Sequence, residues 1–575
     1  MTLAYYGYAQ DPRQRLLDML GSSVQRVGVD TETVSVIDHT LLGLGVAFSG
    51  EDAFYAEPDE PEFPLLLAML KRKDISKVYH NAPFDLRVLR KYDLDVDGVD
   101  DTALMARLNM EVSAVLEDVS FYAKYKHFGD RQTQSMVHLM HDYKVKKPTD
   151  LPPDVLAEKC CKDAQATLLL YEYYMSKLNM QYYEEMRQII GKLERISRQG
   201  IKLDHDRIVE LNKIYTQEEN YLRALCSSFG FSPSKNFEVG YVMSQRGNFL
   251  PFTQSKRQLA TDNANMRKLN DPLASAVLQW RRANKMLGTY IRPWLNADRA
   301  YTTLRMEAAT GRLNSTNAGK LEPDRNLQNI PKNADVGREI TIRSAFIPDN
   351  RVFTKADKSQ LELRILAHRS GDKRMKAVLD ADGDFHADTI DGMKDRGIKV
   401  TRTEAKNFNY GISYGADEYT LAENLGTSDI ARTKMQLDAW YDTYPEAAEY
   451  LIGQEEFGLK HGYVTTSGGR NMRVPLDMGE KHARNCSRNY PIQGTAAEDM
   501  FMLMNHPDVA KHIDITRLQV HDELIFDGRI ELPGMELNPE RSFKEGRAVY
   551  EVKGELAHLS GFYAPLDVVY AERWG

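Results

Sequence analysis

The sequence predicts a multidomain α/β protein, and three observations carry that prediction. A chain of 575 residues exceeds what one hydrophobic core can organise and corresponds to roughly three or four units of ordinary domain size. Two apolar, β-branched runs, VQRVGVD (24–30) and LLGLGVAF (41–48), read as strands, with helical periodicity after them from about residue 63. The pattern then changes twice, to mostly helical from 181 to about 300 and to mixed strand and helix beyond. No internal repeat or low-complexity linker marks the joins, so pattern alone sets them: one α/β unit over 1–180 and a second unit over 181–575.

Each stretch has its own signal. The helical part contains EEMRQIIGKLERISRQG, amphipathic and charged, whose Gly200 suits a helix C-terminus. In the mixed part, RVFTKAD (351–357), RLQV (517–520) and ELIFD (523–527) read as strands, while 372–460 reads as largely helical.

Composition narrows the classes. With 42% hydrophobic and 27% charged residues, the chain is that of a globular protein, and no apolar run is long enough to cross a bilayer. The N-terminus MTLAYYGYAQDPRQR lacks the basic and apolar regions of a secretory signal, so a cytoplasmic location is expected, without a membrane partner. Cys160, Cys161, Cys226 and Cys486 show no metal-ligand spacing and read as reduced core thiols. The net charge of -8 averages over the whole surface, whereas residues 251–312 carry eleven Lys or Arg against four Asp or Glu. That run, with Lys256, Arg257, Arg281, Arg282, Lys285 and Arg292, fits either a solvated helix face or a salt-sensitive DNA contact.

Two sets of carboxylates stand out. Asp30 and Glu32, two apart at the end of a strand, leave the same face of the pleat and repel one another unless solvent or a cation intervenes. Alone, DTET fits a solvated turn equally well; Asp85 in HNAPFDLRVL and Asp163 in CCKDAQATLLL, each at a helix start or on a helix, sharpen it. Asp357 ends a strand, and Asp522 lies between the two strands of an apparent hairpin. Brought side by side by sheet pairing, such acids could hold two divalent ions about 3.5–4 Å apart, although either alone reads as an ordinary strand-terminal residue. Between them, Arg402, Lys406, Tyr410 and Tyr414 recur every four residues and form one helical stripe. Cations suit a triphosphate and rings stack on a base, while a surface cation pair beside core tyrosines has the same spacing.

The motifs carry a resemblance. Asp30, Glu32, Asp85 and Asp163, with Asn81, Asp101 and Thr102, resemble the DEDD 3′→5′ exonucleases. DKSQLELRILAHRSGD, RTEAKNFNYGISYG and LQVHDELIF resemble motifs A, B and C of the family A DNA polymerases. The segments ATGRLNSTNAGKLEPDRNLQNIP, DFHADT, GYVTTSGGR and NYPIQGTAAED match the same family in the same order. The resemblance implies an RNase H-like exonuclease domain followed by a right-hand polymerase, with thumb about 190–300, palm about 301–371 and 462–575, and fingers about 372–461.

It also implies roles. Asp357 and Asp522 would bind the catalytic metals with Glu523 nearby; Arg402, Lys406 and His386 would contact the triphosphate; and Tyr410, Tyr414 and Gln360 would line the nucleotide. Glu362 would block a ribose 2′-hydroxyl, and Arg312, Asn489, Gln493, His521 and Lys285 would contact DNA. Two Mg²⁺ ions are expected at each centre, with Mn²⁺ able to substitute, and primer-template DNA and dNTPs as partners of a monomer. Helicase-primase or single-strand binding proteins are further partners for such an enzyme. The absence of a preceding 5′-nuclease unit and the short interval from Asp163 to Arg312 favour a bacteriophage replicative enzyme by analogy.

Departures are few. Lys159 stands where the exonucleases usually have a tyrosine that orients the attacking water. A protonated lysine cannot accept a hydrogen bond, so hydrolysis at a reduced or altered rate is expected. Asn485 replaces a frequent arginine and Lys358 a common aromatic. A single-subunit RNA polymerase shares the polymerase motifs, but Glu362 and the attached exonuclease point to deoxynucleotides; a nuclease or a replisome binding module would leave the second acid pair idle.

Overall fold

The computed structural model describes residues 4–7, 10–35, 39–124, 133–253, 257–316, 324–332 and 340–575. Lys256 and residues 317–323 of the 309–331 motif lie outside them.

The first unit is built on a six-stranded sheet in the order Ala4–Tyr6, Ala53–Ala56, Leu41–Ala47, Arg26–Thr33, Ser76–Tyr79, Asp100–Asp101. The last two pairings are parallel and the others antiparallel. Its two central strands, Arg26–Thr33 and Leu41–Ala47, are buried along most of their length rather than at alternate residues, because both faces are covered. Helix Pro153–Met175 covers one face at unusually close range. A Cβ on Gly28 would lie 2.2 Å from the Ala164 carbonyl oxygen, and one on Gly45 would lie 2.8 Å from Cys160 Sγ. These two glycines therefore let the helix settle onto the strand that carries Asp30 and Glu32.

Helix Met180–Gln199 follows, capped by Asn179 and closed by Gly200 at φ 60, as the amphipathic pattern predicts. It bridges the two halves: Arg90 holds Glu194 at 2.8 Å from one side, and Tyr182 donates to Glu498 at 2.8 Å on the other. The helical stretch beyond it is interrupted by the strand Ile201–Leu203, which pairs with Arg299–Ala300 and Phe346–Ile347. Helices His205–Ser228 and Pro272–Met286 pack around a separate core that includes Cys226, Met243 and Val277. Arg281 of the basic run is used inside this unit, donating to Asn236 at 2.9 Å, whereas Lys285 is exposed.

The second sheet has six antiparallel strands, in the order Thr516–Val520, Glu523–Asp527, Phe353–Lys358, Leu566–Ala571, Val549–Val552, Met535–Leu537. The predicted strands at 351–357, 517–520 and 523–527 are its heart. Six helices lie between Lys373 and His461, in agreement with the helical reading of 372–460. Among the described residues no helix is long and apolar enough to cross a membrane, and all four cysteines are buried and free.

Candidate active sites

Sheet pairing brings the second acid pair together. Asp357, near the end of the central strand, lies opposite Glu523 on one side and Asp567 on the other. Val520 pairs with Glu523, so His521 and Asp522 form a two-residue hairpin turn with His521 at φ 55. The Lys358 amide donates to the Asp522 carbonyl at 2.9 Å, which docks that turn beside Asp357.

The two carboxylates open into a cavity of about 1050 Å³ that is also lined by Arg312, Gln360, Glu362, His386, Arg402, Tyr410, Tyr414 and His521. The protein wall pushes Asp357 up to about 7, with Glu523 adding to the effect. Burial likewise pushes Asp522 up to about 7 against the pull of Arg312. Their cations pair only loosely, Lys332 at 4.0 Å from Asp357 and Arg312 at 3.8 Å from Asp522. Two neighbouring carboxylates with only loosely paired counter-ions are a fitting oxygen donor set for hard divalent cations.

Glu362 is held on both oxygens, by the Arg312 guanidinium and by the Tyr414 hydroxyl at 2.6 Å. It follows Gln360, whose φ of 51 starts helix Leu361–Ser370 abruptly and turns Glu362 toward the cavity. Across it lies helix Arg402–Ser413, opened by a capping box of Thr401 and Glu404. Arg402 pairs with Asp384 at 2.6 Å, and His386 meets Asn409 at 2.9 Å and the Tyr410 ring at 5.9 Å.

Three expectations are modified. Tyr414 is not on the helix but caps its end, so the helical stripe stops at Tyr410. Lys406 is exposed and is not among the cavity-lining residues. Asn485, in place of arginine, lies against Gly415, where φ is 78 and a Cβ would meet its Oδ1 at 2.7 Å, so it props the turn after the helix. Asn489 and Gln493 are half-buried on helix Glu480–Asn505, and the Asn489 amide nitrogen has no hydrogen-bond partner among the described residues.

Sequence reasoning missed Asp499, Asp567 and Arg541. Lys358 is buried, donates to the Leu556 carbonyl at 2.7 Å and pairs with Asp499 at 3.1 Å, while Arg541 pairs with Asp567 beside Asp357. Asp567, the one charged residue of the apolar run LDVVYA, could have been singled out; nothing local marks the other two.

In the first unit the four acids also converge. Asp30 and Glu32 leave one strand, Asp85 accepts from Thr31 at 2.7 Å, and Asp163 comes from the helix above. Burial raises all three aspartates: Asp85 to about 8, Asp163 to about 6 and Asp30 well above the usual carboxylate range. Asn81 sits at φ 68, and its amide donates to Asp101 at 2.9 Å; Asp101 also caps the helix begun by Thr102, so Asp101 shapes the loop rather than facing a ligand.

Cys160 is more than a core thiol: it lies against the Asp30 carbonyl, and its sulfur and oxygens of Asp30 and Glu32 fall within 4.8 Å of one another. Lys159 reaches into the cluster, donating to Glu32 at 2.9 Å and Asp163 at 2.6 Å. Burial opposes its charge, but Asp163, Glu32 and Asp30 outweigh that and hold it well above the ordinary lysine value. A cavity of about 930 Å³ lies before these acids, and its far wall comes from the other unit, including Met306, Gly311, Arg470 and Tyr490.

Comparison with known proteins agrees with both halves. Residues 12–179 match a 3′-5′ exonuclease family and residues 209–532 match DNA polymerase family A. The chain is 29% identical to DNA polymerase I of Chloroflexus aurantiacus over 562 residues, covering 91% of this chain and 56% of that one. It is 30% identical to DNA polymerase I of Bacillus subtilis over 417 residues, covering 65% and 45%. It thus spans about half the length of these bacterial relatives. A structure described as the POL domain of Pol1 from M. smegmatis in complex with DNA primer-template and dNTP superposes with a TM-score of 0.76 at 23% identity, covering 99% of each chain. That likeness extends the shared fold over both units, and the chain belongs to DNA polymerase family A.

Proposed function

We propose that the chain is a template-directed DNA polymerase that adds dNTPs to a primer 3′ end and edits it by 3′→5′ hydrolysis at the first acid cluster. The observation that carries this reading is the convergence, on one cavity, of an acid pair, a glutamate held by Arg312 and Tyr414, and the Arg402–His386–Tyr410 face.

Asp357 and Asp522 would hold the divalent ions, which when bound neutralise charge on the attacking and leaving oxygens. The primer 3′-hydroxyl releases its proton to solvent as its oxygen bonds to the α-phosphorus, and the bond from that phosphorus to the pyrophosphate oxygen breaks. Arg402 exchanges Asp384 for phosphate oxygens, with His386 beside it and Lys406 approaching from solvent. Tyr410 and Tyr414 bracket the nucleoside and template base, and Glu362 stands where a 2′-hydroxyl would project. Movement of helix Arg402–Ser413 onto a correct pair would complete the site before chemistry. Arg312, His521, Asn489 and Gln493 track the primer end, and Lys285 the DNA backbone. A cytoplasmic location suits these substrates.

Primed-template extension tests the reading. Extension with dNTPs but poorly with rNTPs, abolished in Asp522→Ala with DNA binding retained, is expected. Extension by that variant at the wild-type rate refutes the assignment, and a preference for rNTPs supports an RNA polymerase instead. For the first cluster, mismatched-primer digestion with Mg²⁺ or Mn²⁺ should exceed that of Asp30→Ala.

A further inference from the structure

Lys159 stands inside the exonuclease acid cluster, and no step of the proposed polymerisation uses it. It lies one turn before Asp163 on the same helix face. The close approach at Gly28 and Gly45 presses that face onto the strand bearing Asp30 and Glu32. Its ammonium is bound to Glu32 Oε1 and Asp163 Oδ2, and the side chain is only 12% exposed, so solvent screens these contacts little.

The donor set left over is specific. Asp30 Oδ2 and Asp163 Oδ1 are buried and have no hydrogen-bond partner among the described residues. Asp163 as a whole is only 5% exposed, and unsatisfied buried carboxylate oxygens require a counter-charge. Open carboxylate oxygens of this kind suit a hard cation. They do not fit two, because Glu32 Oε1 and Asp163 Oδ2 are already occupied by a tethered positive charge. A second divalent ion there would have to share oxygens with the ammonium and overcome its repulsion at contact distance.

We propose that the Lys159 ammonium fills one of the two cation positions of the exonuclease site, so that the site takes a single divalent ion on the free oxygens of Asp30 and Asp163. The inference rests on reading this cluster as the exonuclease centre. Lysine then has the charge role of an ion but not its Lewis acidity, and it cannot accept a hydrogen bond from water as a tyrosine could.

The test counts ions rather than turnover. In the full chain carrying Asp357→Asn and Asp522→Asn to silence the polymerase centre, bound Mn²⁺ is measured by electron paramagnetic resonance of the free ion. One ion per chain is expected, lost on Asp30→Asn, and a second should appear in Lys159→Met. Two ions with Lys159 intact overturn the proposal, as does a single ion in both the lysine and the methionine proteins. No ion in either overturns the exonuclease reading itself. If Lys159→Met fails to fold, Lys159→Gln serves, and the count on the lysine-bearing chain still decides.

Discussion

The Tyr414 hydroxyl donates to Glu362 Oε2 at 2.6 Å, while Arg312 holds the other oxygen. The glutamate is thereby fixed at the mouth of the cavity beside Asp522 rather than left to rotate. A fixed carboxylate excludes a ribose hydroxyl by contact and charge, so Glu362→Ala should cut the preference for dNTP over rNTP by roughly 100-fold in kcat/KM, or about 2.7 kcal/mol. Tyr414→Phe removes one of the two contacts that fix the glutamate and, with Arg312 still in place, should cost less of that discrimination, about 1 kcal/mol. Steady-state kinetics with both nucleotide classes check the pair; an unchanged ratio in Glu362→Ala counts against the gate.

Tyr410 faces the same cavity, with its hydroxyl pushed up to about 12 by burial and nearby acids, so it acts as a donor at neutral pH. It can stand in for the 3′-hydroxyl missing from a dideoxynucleotide. Tyr410→Phe should therefore discriminate more strongly against ddNTPs, by about tenfold for each 1.4 kcal/mol that the lost bond was worth. Competition between ddNTP and dNTP in primer extension measures it, and equal incorporation by both proteins would exclude this role.

Lys358 and Asp499 form an ion pair at 3.1 Å, with exposures of 0% and 1%. Removing one partner strands the other, so Lys358→Met should destabilise the fold by about 3–5 kcal/mol. Lys358→Met combined with Asp499→Leu should recover most of that loss, since an apolar replacement of similar volume is often neutral. Denaturant unfolding of the single and double variants decides; additive losses would show that the pair is not coupled.

Asp417 caps helix Glu418–Leu425 and accepts from Lys481 at 2.7 Å. Although burial raises its pKa, these bonds win and depress it from 3.8 to about 2. A depressed folded-state pKa stabilises above the unfolded value and is lost as pH falls through the folded one. The melting-temperature difference between wild type and Asp417→Asn should be full above about pH 4 and shrink toward about pH 2. A constant difference over that range would contradict the assignment.

Much of the fold was legible because its signals are local. Val27, Val29, Leu44 and Val46 mark buried strands, and Gly200 ends a helix. The acids were legible as motifs, and pairing of Asp357 with Glu523 brings them together as expected. What stayed hidden depends on distant partners: Lys358 gains its meaning from Asp499, and Lys159 from the angle at which its helix meets the sheet. Tyr414 fits the four-residue spacing, yet the positive φ of Gly415 ends the helix before it.

The contact at Gly28 and Gly45 has a consequence for how such a protein can change over generations. A single methyl group at Gly28 would be driven into the Ala164 carbonyl oxygen, and a backbone atom cannot swing aside as a flexible side chain can. The helix would have to lift, carrying Lys159 and Asp163 away from Asp30 and Glu32. A lineage could therefore give up editing while every acid of the site remained in the sequence and the synthetic half was left intact. Retention of the four acids is thus not by itself a mark of a working nuclease.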